Sequence, residues 1–157
     1  MTNRLPRSRT CSKSNHARPL LAVPRGKLTC RRAQFAGWVD GVDLEHLLAD
    51  MSLLFNPSLL PTETFSIVNI QAMAVGTPVA AFGNGGMLEY LSPNVNALVL
   101  DDAEPGKVAS ALAELLLDRP RLDALAEKGK AHILSNFGAD AAVERWAELY
   151  ESLVDVR

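Results

Sequence analysis

The chain has 157 residues, a length typical of one domain. Its composition, 48% hydrophobic and 22% charged, is that of a folded protein and excludes a collagen-like chain, a disulfide scaffold and a chain disordered throughout. The formal net charge of −2 combines two unlike parts. Residues 1–34 contain nine of the sixteen basic residues and no acidic residue, whereas residues 35–157 contain seven basic and all eighteen acidic residues. We therefore place a boundary near residue 34.

Residues 1–34 form the basic part and show no sustained helical or strand periodicity. Prolines among scattered Arg, Ser and Thr predict a disordered tail. The longest apolar stretch, Leu20–Val23, is too short for a secretory signal, so we expect an intracellular, soluble protein. An Arg-rich, acid-free segment is typical of plastid or mitochondrial transit peptides. A solvated tail and a start codon assigned upstream of the domain fit this composition as well, and we expect no specific nucleic-acid binding.

Residues 35–157 alternate short apolar runs, which predict strands, with periodic stretches, which predict helices. In chain order these are a strand near Gln34–Val39, a helix over Asp43–Asp50, a strand over Ser52–Phe55 ended by Asn56-Pro57-Ser58, a helix over Phe65–Val75 capped by Gly76, a strand over Pro78–Phe82, a loop over Gly83–Gly86, a short helix over Met87–Leu91 and a strand over Ala97–Leu100. Such repetition predicts an α/β fold with a parallel sheet flanked by helices.

The rest of the chain is helical by period and carries three apolar stripes. They consist of Val108, Ala111, Leu112, Leu115 and Leu116; of Leu122, Leu125, Ala126 and Ile133; and of Val143, Trp146, Tyr150 and Leu153. We expect these stripes to face the core, because a globular helix buries its apolar face in this way. A surface for a partner is the alternative.

A run of 25 residues without a charge, residues 64–88, lies between Glu63 and Glu89. Polar residues, glycines and a proline interrupt the run, so it does not predict a membrane span. We expect instead a buried strand-helix-strand core whose two boundary acids reach the surface at one end. Glu63 and Glu89 are therefore candidate site residues.

In open α/β sheets, ligands bind beyond the carboxyl ends of the strands. The predicted helix start at residues 65–67 follows such an end, and its free N–H groups and helix dipole favour an anion such as phosphate. Glu63 and Gln71 are eight residues apart, about 12 Å of helix rise, which is roughly the span from a sugar to a ribose across a diphosphate. The alternative is that Glu63 caps the helix and Gln71 is a solvated surface residue.

A glycine-rich loop follows the next predicted strand. Gly83, Gly85 and Gly86 would let the backbone approach a ligand closely. Glu89, three residues later, is placed to receive a hydroxyl or to cap a turn. The loop matches neither a dinucleotide-binding fingerprint nor a P-loop.

These elements belong to a longer pattern. Phe35–Val39, Asn56-Pro57-Ser58, the stretch Glu63–Val79 and Gly85-Gly86-x-x-Glu89 occur in this order. Together they resemble the second half of the C-terminal domain of retaining GT-B glycosyltransferases of family 4, the sucrose-synthase and glycogen-synthase type. The resemblance covers Phe35 to about Val154. It implies a partial Rossmann-like sheet, with residues 35–157 forming an incomplete nucleotide-sugar-binding domain.

The resemblance implies a catalytic role for Glu63, which would contact hydroxyls of the donor sugar. The donor-binding residues that it implies are Phe65, Ser66, Ile67, Gln71, Gly85, Gly86 and Glu89. The amides of residues 65–67 would approach the sugar and phosphate, position 71 would hold the ribose, and the glycine element would shape the floor of the cleft. Such enzymes transfer a hexose from a UDP-, ADP- or GDP-linked donor with retention. They need no metal or cofactor, because protein groups neutralise the leaving diphosphate.

Three departures from the family pattern matter. Gln71 stands where members usually have Glu, and loses a charge-assisted bond to ribose of about 1 kcal/mol. Ser66 stands where glycine is usual and adds a side chain where the backbone meets the ligand. Both changes predict weakened binding. Members also begin this domain with two further β-α units that grip the diphosphate, and before it they have an N-terminal Rossmann domain that binds the acceptor.

Only residues 1–34 precede Phe35 here, and they do not match those units. We therefore expect a truncated domain that is incomplete alone: a fragment, a mispredicted gene product, or one half of a complementing pair. In the last case it would act with a complementing N-terminal GT-B domain or through self-association. The alternative is a non-catalytic remnant or an interaction module that needs a partner domain. The nucleotide base, the sugar and the acceptor are not determined by the sequence.

Overall fold

The computed structural model describes residues 36–154, and the predictions for residues 1–35 lie outside this range. The chain divides into two units between Asp40 and Gly41. Residues 36–40 of the first unit form neither helix nor strand, so the strand predicted over Gln34–Val39 is wrong for residues 36–39. Gly37 explains the difference, because its φ of 75° turns the chain out of an extended conformation.

The second unit contains all the regular elements of the described residues. They are α1 (Gly41–Ala49), β1 (Leu54–Asn56), α2 (Ile67–Val75), β2 (Val79–Phe82), a 3₁₀ helix (Gly85–Glu89), β3 (Leu98–Leu100), α3 (Pro105–Leu117), α4 (Arg119–Phe137) and α5 (Ala139–Val154). This order confirms the α/β fold with a helical C-terminal segment. Within residues 36–154, no helix is long and apolar enough to cross a membrane.

The three strands form one parallel sheet in the order β1-β2-β3. Leu54 pairs with Val79 on one side of β2, and Phe82 pairs with Leu100 on the other. All four residues of β2 are buried, as expected for the central strand of a parallel sheet covered on both faces. The described sheet has three strands rather than the four expected, because residues 36–39 form no strand.

Alternation along β2 creates two cores, one on each face of the sheet. Val79 and Ala81 belong to a core with residues of α1, α2 and the C-terminal half of α4, including Met73 and Ile133. Ala80 and Phe82 belong to the opposite core, which contains Leu98 and Leu100 of β3, Leu115 of α3 and the leucines of the N-terminal half of α4. The sheet is therefore fixed from both sides, and its carboxyl edge is held in place.

The predicted element boundaries shift by one or two residues, and α2 shows why. Its end is confirmed, because Gly76 has a left-handed φ of 95° and its N–H donates to the carbonyls of Ala72 and Met73. Its start lies at Ile67 rather than at Phe65, because Ser66 has a left-handed φ of 46° that a continuing helix does not allow.

Other boundaries differ in the strands and in the 3₁₀ helix. β1 begins at Leu54 rather than Ser52, and β3 begins at Leu98 rather than Ala97. The predicted loop over Gly83–Gly86 is shorter, because the 3₁₀ helix already begins at Gly85; this helix ends at Glu89 instead of running over Met87–Leu91.

The apolar stripe of α4 buries its leucines and Ile133, as predicted. In the stripe of α3, Leu115 is buried, but Leu116 is 38% exposed, so the expected core packing is wrong for Leu116. The stripe of α5 is exposed throughout. Val143, Trp146, Tyr150 and Leu153 are 58–67% exposed. The expected core packing is therefore wrong for α5, because this helix packs mainly against α4 and none of its residues is buried. A groove of about 380 Å³ lies between the two helices beside Phe137 and Trp146.

Candidate functional site

The candidate site lies at the carboxyl edge of the sheet, where the loops after β1 and β2 meet. β1 ends at Asn56 and β2 at Phe82. The side-chain amide of Asn84, just after β2, donates a hydrogen bond of 2.9 Å to the carbonyl of Ser58, just after β1. This bond fixes the two loops against each other at the edge where open α/β sheets bind ligands.

Glu63 sits in the loop between β1 and α2, and it is half-buried. The Ser58 hydroxyl donates to its carboxylate at 3.2 Å, while the Ser58 N–H donates to the Asn56 side-chain oxygen at 3.1 Å. The N-cap of α2 is Ser66, and no side chain caps the helix. The alternative in which Glu63 caps α2 is therefore wrong, and the carboxylate keeps further oxygen lone pairs for a ligand.

The first turn of α2 offers unpaired backbone donors. The N–H groups of Ile67 and Val68 donate to no acceptor in the described part of the chain, and both residues are exposed. The positive end of the helix dipole adds to these donors, so this turn attracts an anion. The first turn of α2 contains no acidic side chain. An anion at this turn would therefore not be repelled by a carboxylate of the same helix.

A buried polar network lies beneath this turn. The Asn56 side-chain amide donates to Ser66 Oγ at 2.7 Å and to Asn69 Oδ1 at 3.1 Å. Asn69 is fully buried and donates to the Tyr90 hydroxyl at 3.2 Å and to the Met87 sulfur at 3.4 Å. The network links β1, α2 and the segment after the 3₁₀ helix.

Tyr90 is 1% exposed, and its burial has an electrostatic consequence. Desolvation raises the pKa of Tyr90 to about 12; the hydrogen bond from Asn69 offsets part of the rise, and the nearby charge of Glu63 adds to it. Tyr90 therefore stays neutral at physiological pH and acts in the network as a hydrogen-bonding group.

The glycines after β2 pack against the loop that carries Glu63. A Cβ atom on Gly85 would overlap the carbonyl oxygen of Glu63, and one on Gly86 would overlap that of Thr64. Gly85 also has a left-handed φ of 52°. The close approach predicted for these glycines is thus made here to the chain's own backbone, and it sets the position of the residues next to the site.

The other predicted site residues are spread around this edge. The side chains of Gln71 and Glu89 are exposed and have no hydrogen-bond partner among residues 36–154, as the alternative of a solvated surface residue expected for Gln71. The Phe65 ring packs inward, with its centroid 5.2 Å from that of Tyr90 and 5.6 Å from that of Phe137. The predicted distance of about 12 Å from Glu63 to Gln71 is wrong, because it assumed that the whole segment is helical. Only residues 67–71 of this segment are helical, and they account for about 6 Å of helix rise.

A cleft of about 390 Å³ adjoins the site beyond the ends of β2 and β3. Phe82, Asn84 and Leu100 are among its lining residues. Gly83 of the predicted glycine-rich loop also lines it, whereas Glu63 and the predicted donor-binding residues do not. Sequence reasoning missed Asn56, Ser58, Asn69, Asn84 and Tyr90 as members of the site. Polar residues directly after a strand were the available signal for Asn56 and Asn84, while the fully buried Asn69 gave none. The structure groups no three potential metal-ligating side chains in the part of the chain that it describes.

Comparison with known proteins shows the family of this chain. The family described as Glycosyl transferases group 1 matches residues 28–132. The chain belongs to this family. The match begins within the basic segment and ends in α4, so it includes the whole sheet, α2 and the candidate site, and leaves α5 outside.

Two relatives of this group 1 glycosyltransferase domain are bacterial glycosyltransferases. The chain is 34% identical over 110 residues to the D-inositol 3-phosphate glycosyltransferase of Thermobispora bispora, covering 69% of this chain and 26% of the relative. It is 33% identical over 126 residues to a GDP-mannose-dependent alpha-(1-6)-phosphatidylinositol monomannoside mannosyltransferase of Mycobacterium tuberculosis, covering 77% of this chain and 31% of the relative. The chain thus spans about a quarter to a third of these relatives.

Solved structures agree with the family. The Anabaena protein HepE in complex with UDP and glucose has a TM-score of 0.69 and 26% identity, covering 78% of this chain and 32% of that chain. The sucrose-phosphate synthase of Thermosynechococcus elongatus has a TM-score of 0.59 and 27% identity, covering 68% of this chain and 26% of that chain. The second unit is accordingly similar to GT-B glycosyltransferases.

Proposed function

We propose that this group 1 glycosyltransferase domain is the donor-binding part of a retaining, metal-independent hexosyltransferase of family 4. Its substrate is a nucleotide sugar linked through UDP, ADP or GDP. The observation that carries the proposal is the pair of unpaired amides at the start of α2, four residues after the half-buried Glu63 in the same loop-helix segment. A structural neighbour with a TM-score of 0.69 is a complex with UDP and glucose, which supports a nucleotide sugar as the ligand.

The proposed chemistry places the diphosphate at the first turn of α2. The amides of Ile67 and Val68 point out of the helix and donate to phosphate oxygens. Negative charge builds up on the diphosphate as the bond to the sugar breaks. Donors that are already oriented stabilise this charge without reorganisation.

Glu63 is proposed to bind the sugar. Its carboxylate accepts hydrogen bonds from sugar hydroxyls, while the bond from Ser58 keeps it in one orientation. Phe65, Ser66, Gly85 and Gly86 shape the surrounding surface. Gln71 accepts from the ribose and Glu89 from a further hydroxyl. Both side chains are exposed, which leaves them accessible to a ligand.

Calorimetry with UDP and UDP-glucose tests the role of Glu63. We expect Glu63→Gln to change the affinity for UDP by less than about twofold and to lower the affinity for UDP-glucose about tenfold. The difference arises because only the sugar loses a charge-assisted hydrogen bond. Glu127→Gln is the matched control, since Glu127 is an exposed acid on α4 outside the candidate site. Equal losses for the two ligands with Glu63→Gln would contradict the role.

Transfer to an acceptor is proposed to need a further domain. The relatives are three to four times as long as the part that this chain matches, which leaves most of their length without a counterpart. We propose that a complementing N-terminal GT-B domain, or a second copy of the chain, completes the acceptor side. We expect the purified chain to bind the donor as a monomer without transferring the sugar. Turnover of a nucleotide sugar by the purified chain as a monomer would contradict this part of the proposal.

A further inference from the structure

Ser66 has a backbone conformation that a serine rarely adopts. Its φ of 46° and ψ of 76° lie in the left-handed region, where a side chain crowds the neighbouring carbonyl. Among residues 36–154 the only other non-glycine residue with positive φ is Asn94, of a type for which this region is less costly. A surrounding interaction must therefore hold Ser66 in place.

Asn56 provides that interaction. Its side-chain amide donates to Ser66 Oγ at 2.7 Å, the shortest hydrogen bond of the buried network. The same amide donates to Asn69 Oδ1 at 3.1 Å, and the Asn56 side-chain oxygen accepts from the Ser58 N–H at 3.1 Å. With both ends of the amide engaged, Asn56 cannot rotate without breaking several bonds. It is also anchored in the backbone as the last residue of β1, paired with Ala81.

Ser66 in turn sets the direction of the first turn of α2. It is the N-cap, so its φ and ψ determine where the N–H groups of Ile67 and Val68 point. A serine that relaxed to an ordinary conformation would rotate these amides. The hydrogen bond from Asn56 opposes this rotation.

We propose that Asn56 is a positioning residue that holds Ser66 in the left-handed conformation and thereby aims the phosphate-binding amides of α2. A glycine at position 66 would adopt this conformation without such a bond. The effect on a ligand rests on the proposed function, whereas the effect on Ser66 does not.

A double-mutant cycle on the full chain tests the proposal. The four proteins are the unsubstituted chain, Asn56→Ala, Ser66→Gly and the double variant, and the probes are urea unfolding and calorimetric titration with UDP. Glycine adopts the left-handed conformation without help, so Ser66→Gly makes the hydrogen bond from Asn56 unnecessary for the backbone. Asn136→Ala is the matched control, because Asn136 is a part-buried amide that donates to the His132 carbonyl, far along the chain from position 66.

We expect Asn56→Ala alone to weaken UDP binding about fivefold, the equivalent of one hydrogen bond. In the Ser66→Gly background the same substitution weakens binding less than about twofold. In that background Asn56→Ala also lowers the urea unfolding midpoint by a smaller amount. The decrease does not vanish, because the hydrogen bond to Asn69 is still lost. Asn136→Ala gives the same shift in both backgrounds and leaves UDP affinity unchanged.

If Asn56→Ala lowers the urea unfolding midpoint equally in the two backgrounds, the proposal is overturned, whatever the affinities for UDP. If the midpoint falls less in the Ser66→Gly background but the affinity for UDP falls equally in both, Asn56 holds Ser66 without positioning the amides. If the unsubstituted chain binds none of UDP, GDP and ADP, the proposed function fails and the ligand role of Asn56 fails with it, while the urea data still decide whether Asn56 holds Ser66. Should Asn56→Ala fail to fold in both backgrounds, the near-isosteric Asn56→Leu takes its place.

Discussion

The contact between the 3₁₀ helix and the loop before α2 leaves no room for a β-carbon at Gly85 or Gly86. A methyl group on Gly85 would overlap the carbonyl oxygen of Glu63, and one on Gly86 would overlap that of Thr64. Both obstacles are backbone atoms, which cannot swing aside as a flexible side chain can. Alanine at either position must therefore displace the loop that carries the proposed sugar-binding carboxylate.

The size of the effect follows from two costs. At Gly85 the left-handed φ of 52° adds about 1 kcal/mol for any residue with a β-carbon. Overpacking adds about 1–3 kcal/mol at both positions. We expect Gly85→Ala to lower the free energy of unfolding by about 2–4 kcal/mol and Gly86→Ala by about 1–3 kcal/mol. Both variants should also lower the affinity for UDP-glucose more than the affinity for UDP, because the displaced loop carries Glu63, which is proposed to bind the sugar.

Urea unfolding followed by circular dichroism measures the stability, and calorimetry measures the two affinities. Gly106→Ala is the matched control: its β-carbon would meet only the flexible carboxylate of Glu104 at 3.2 Å, in the first turn of α3. A loss below about 0.5 kcal/mol for Gly85→Ala, comparable to that of the control, would refute the reasoning.

Three further predictions concern the scaffold around the site. Gly76→Ala should cost about 1 kcal/mol in urea unfolding, because its left-handed φ of 95° ends α2, and an unchanged midpoint would contradict this. Asn69→Ala should cost about 2–3 kcal/mol, because it leaves the buried Tyr90 hydroxyl and the Asn56 amide each short of a partner; a cost under 1 kcal/mol would show that the network is not coupled. Burial raises the pKa of Tyr90 to about 12, so its contribution to stability is intact below pH 10 and is lost as the pH rises from 10 towards 12. Tyrosinate absorbance of a Tyr150→Phe variant, in which Tyr90 is the remaining tyrosine, checks this: native and urea-unfolded chains titrating at the same pH would contradict it.

The local part of the fold could be predicted from the sequence. Apolar periodicity located α1, β2 and α3 to α5, because each period reports which side of one element avoids water. Gly76 marked the end of α2, because the left-handed C-cap favours glycine. These features depend on residues close together in the chain, where pattern and propensity suffice.

Features that depend on distant contacts could not be predicted. Whether the apolar stripe of α5 is buried or exposed depends on what packs against the helix. The periodicity of the sequence is the same for a buried stripe and for an exposed one. The start of α2 depends on a bond from Asn56, ten residues before Ser66. The partner of Gly85 is the backbone around Glu63, more than twenty residues away. A glycine in the sequence signals a close approach without saying to what.

The site shows the same division. Glu63 and the start of α2 could be selected from their place after a predicted strand, and the resemblance gave them roles. The residues that orient them could not be selected in this way. Ser58 was seen as part of a turn, and Asn69 lay inside an apolar helix pattern, although its buried amide joins the network under the site.

Backbone ¹⁵N chemical shifts during a titration with UDP-glucose show whether the amides that open α2 bind the diphosphate of a nucleotide sugar. We predict saturable shifts that are largest at Ile67 and Val68, with smaller ones at Glu63 and Gln71. Saturable shifts centred on the cleft beside Phe82 and Leu100, or no shifts with UDP-glucose, GDP-mannose or ADP-glucose, would contradict this prediction.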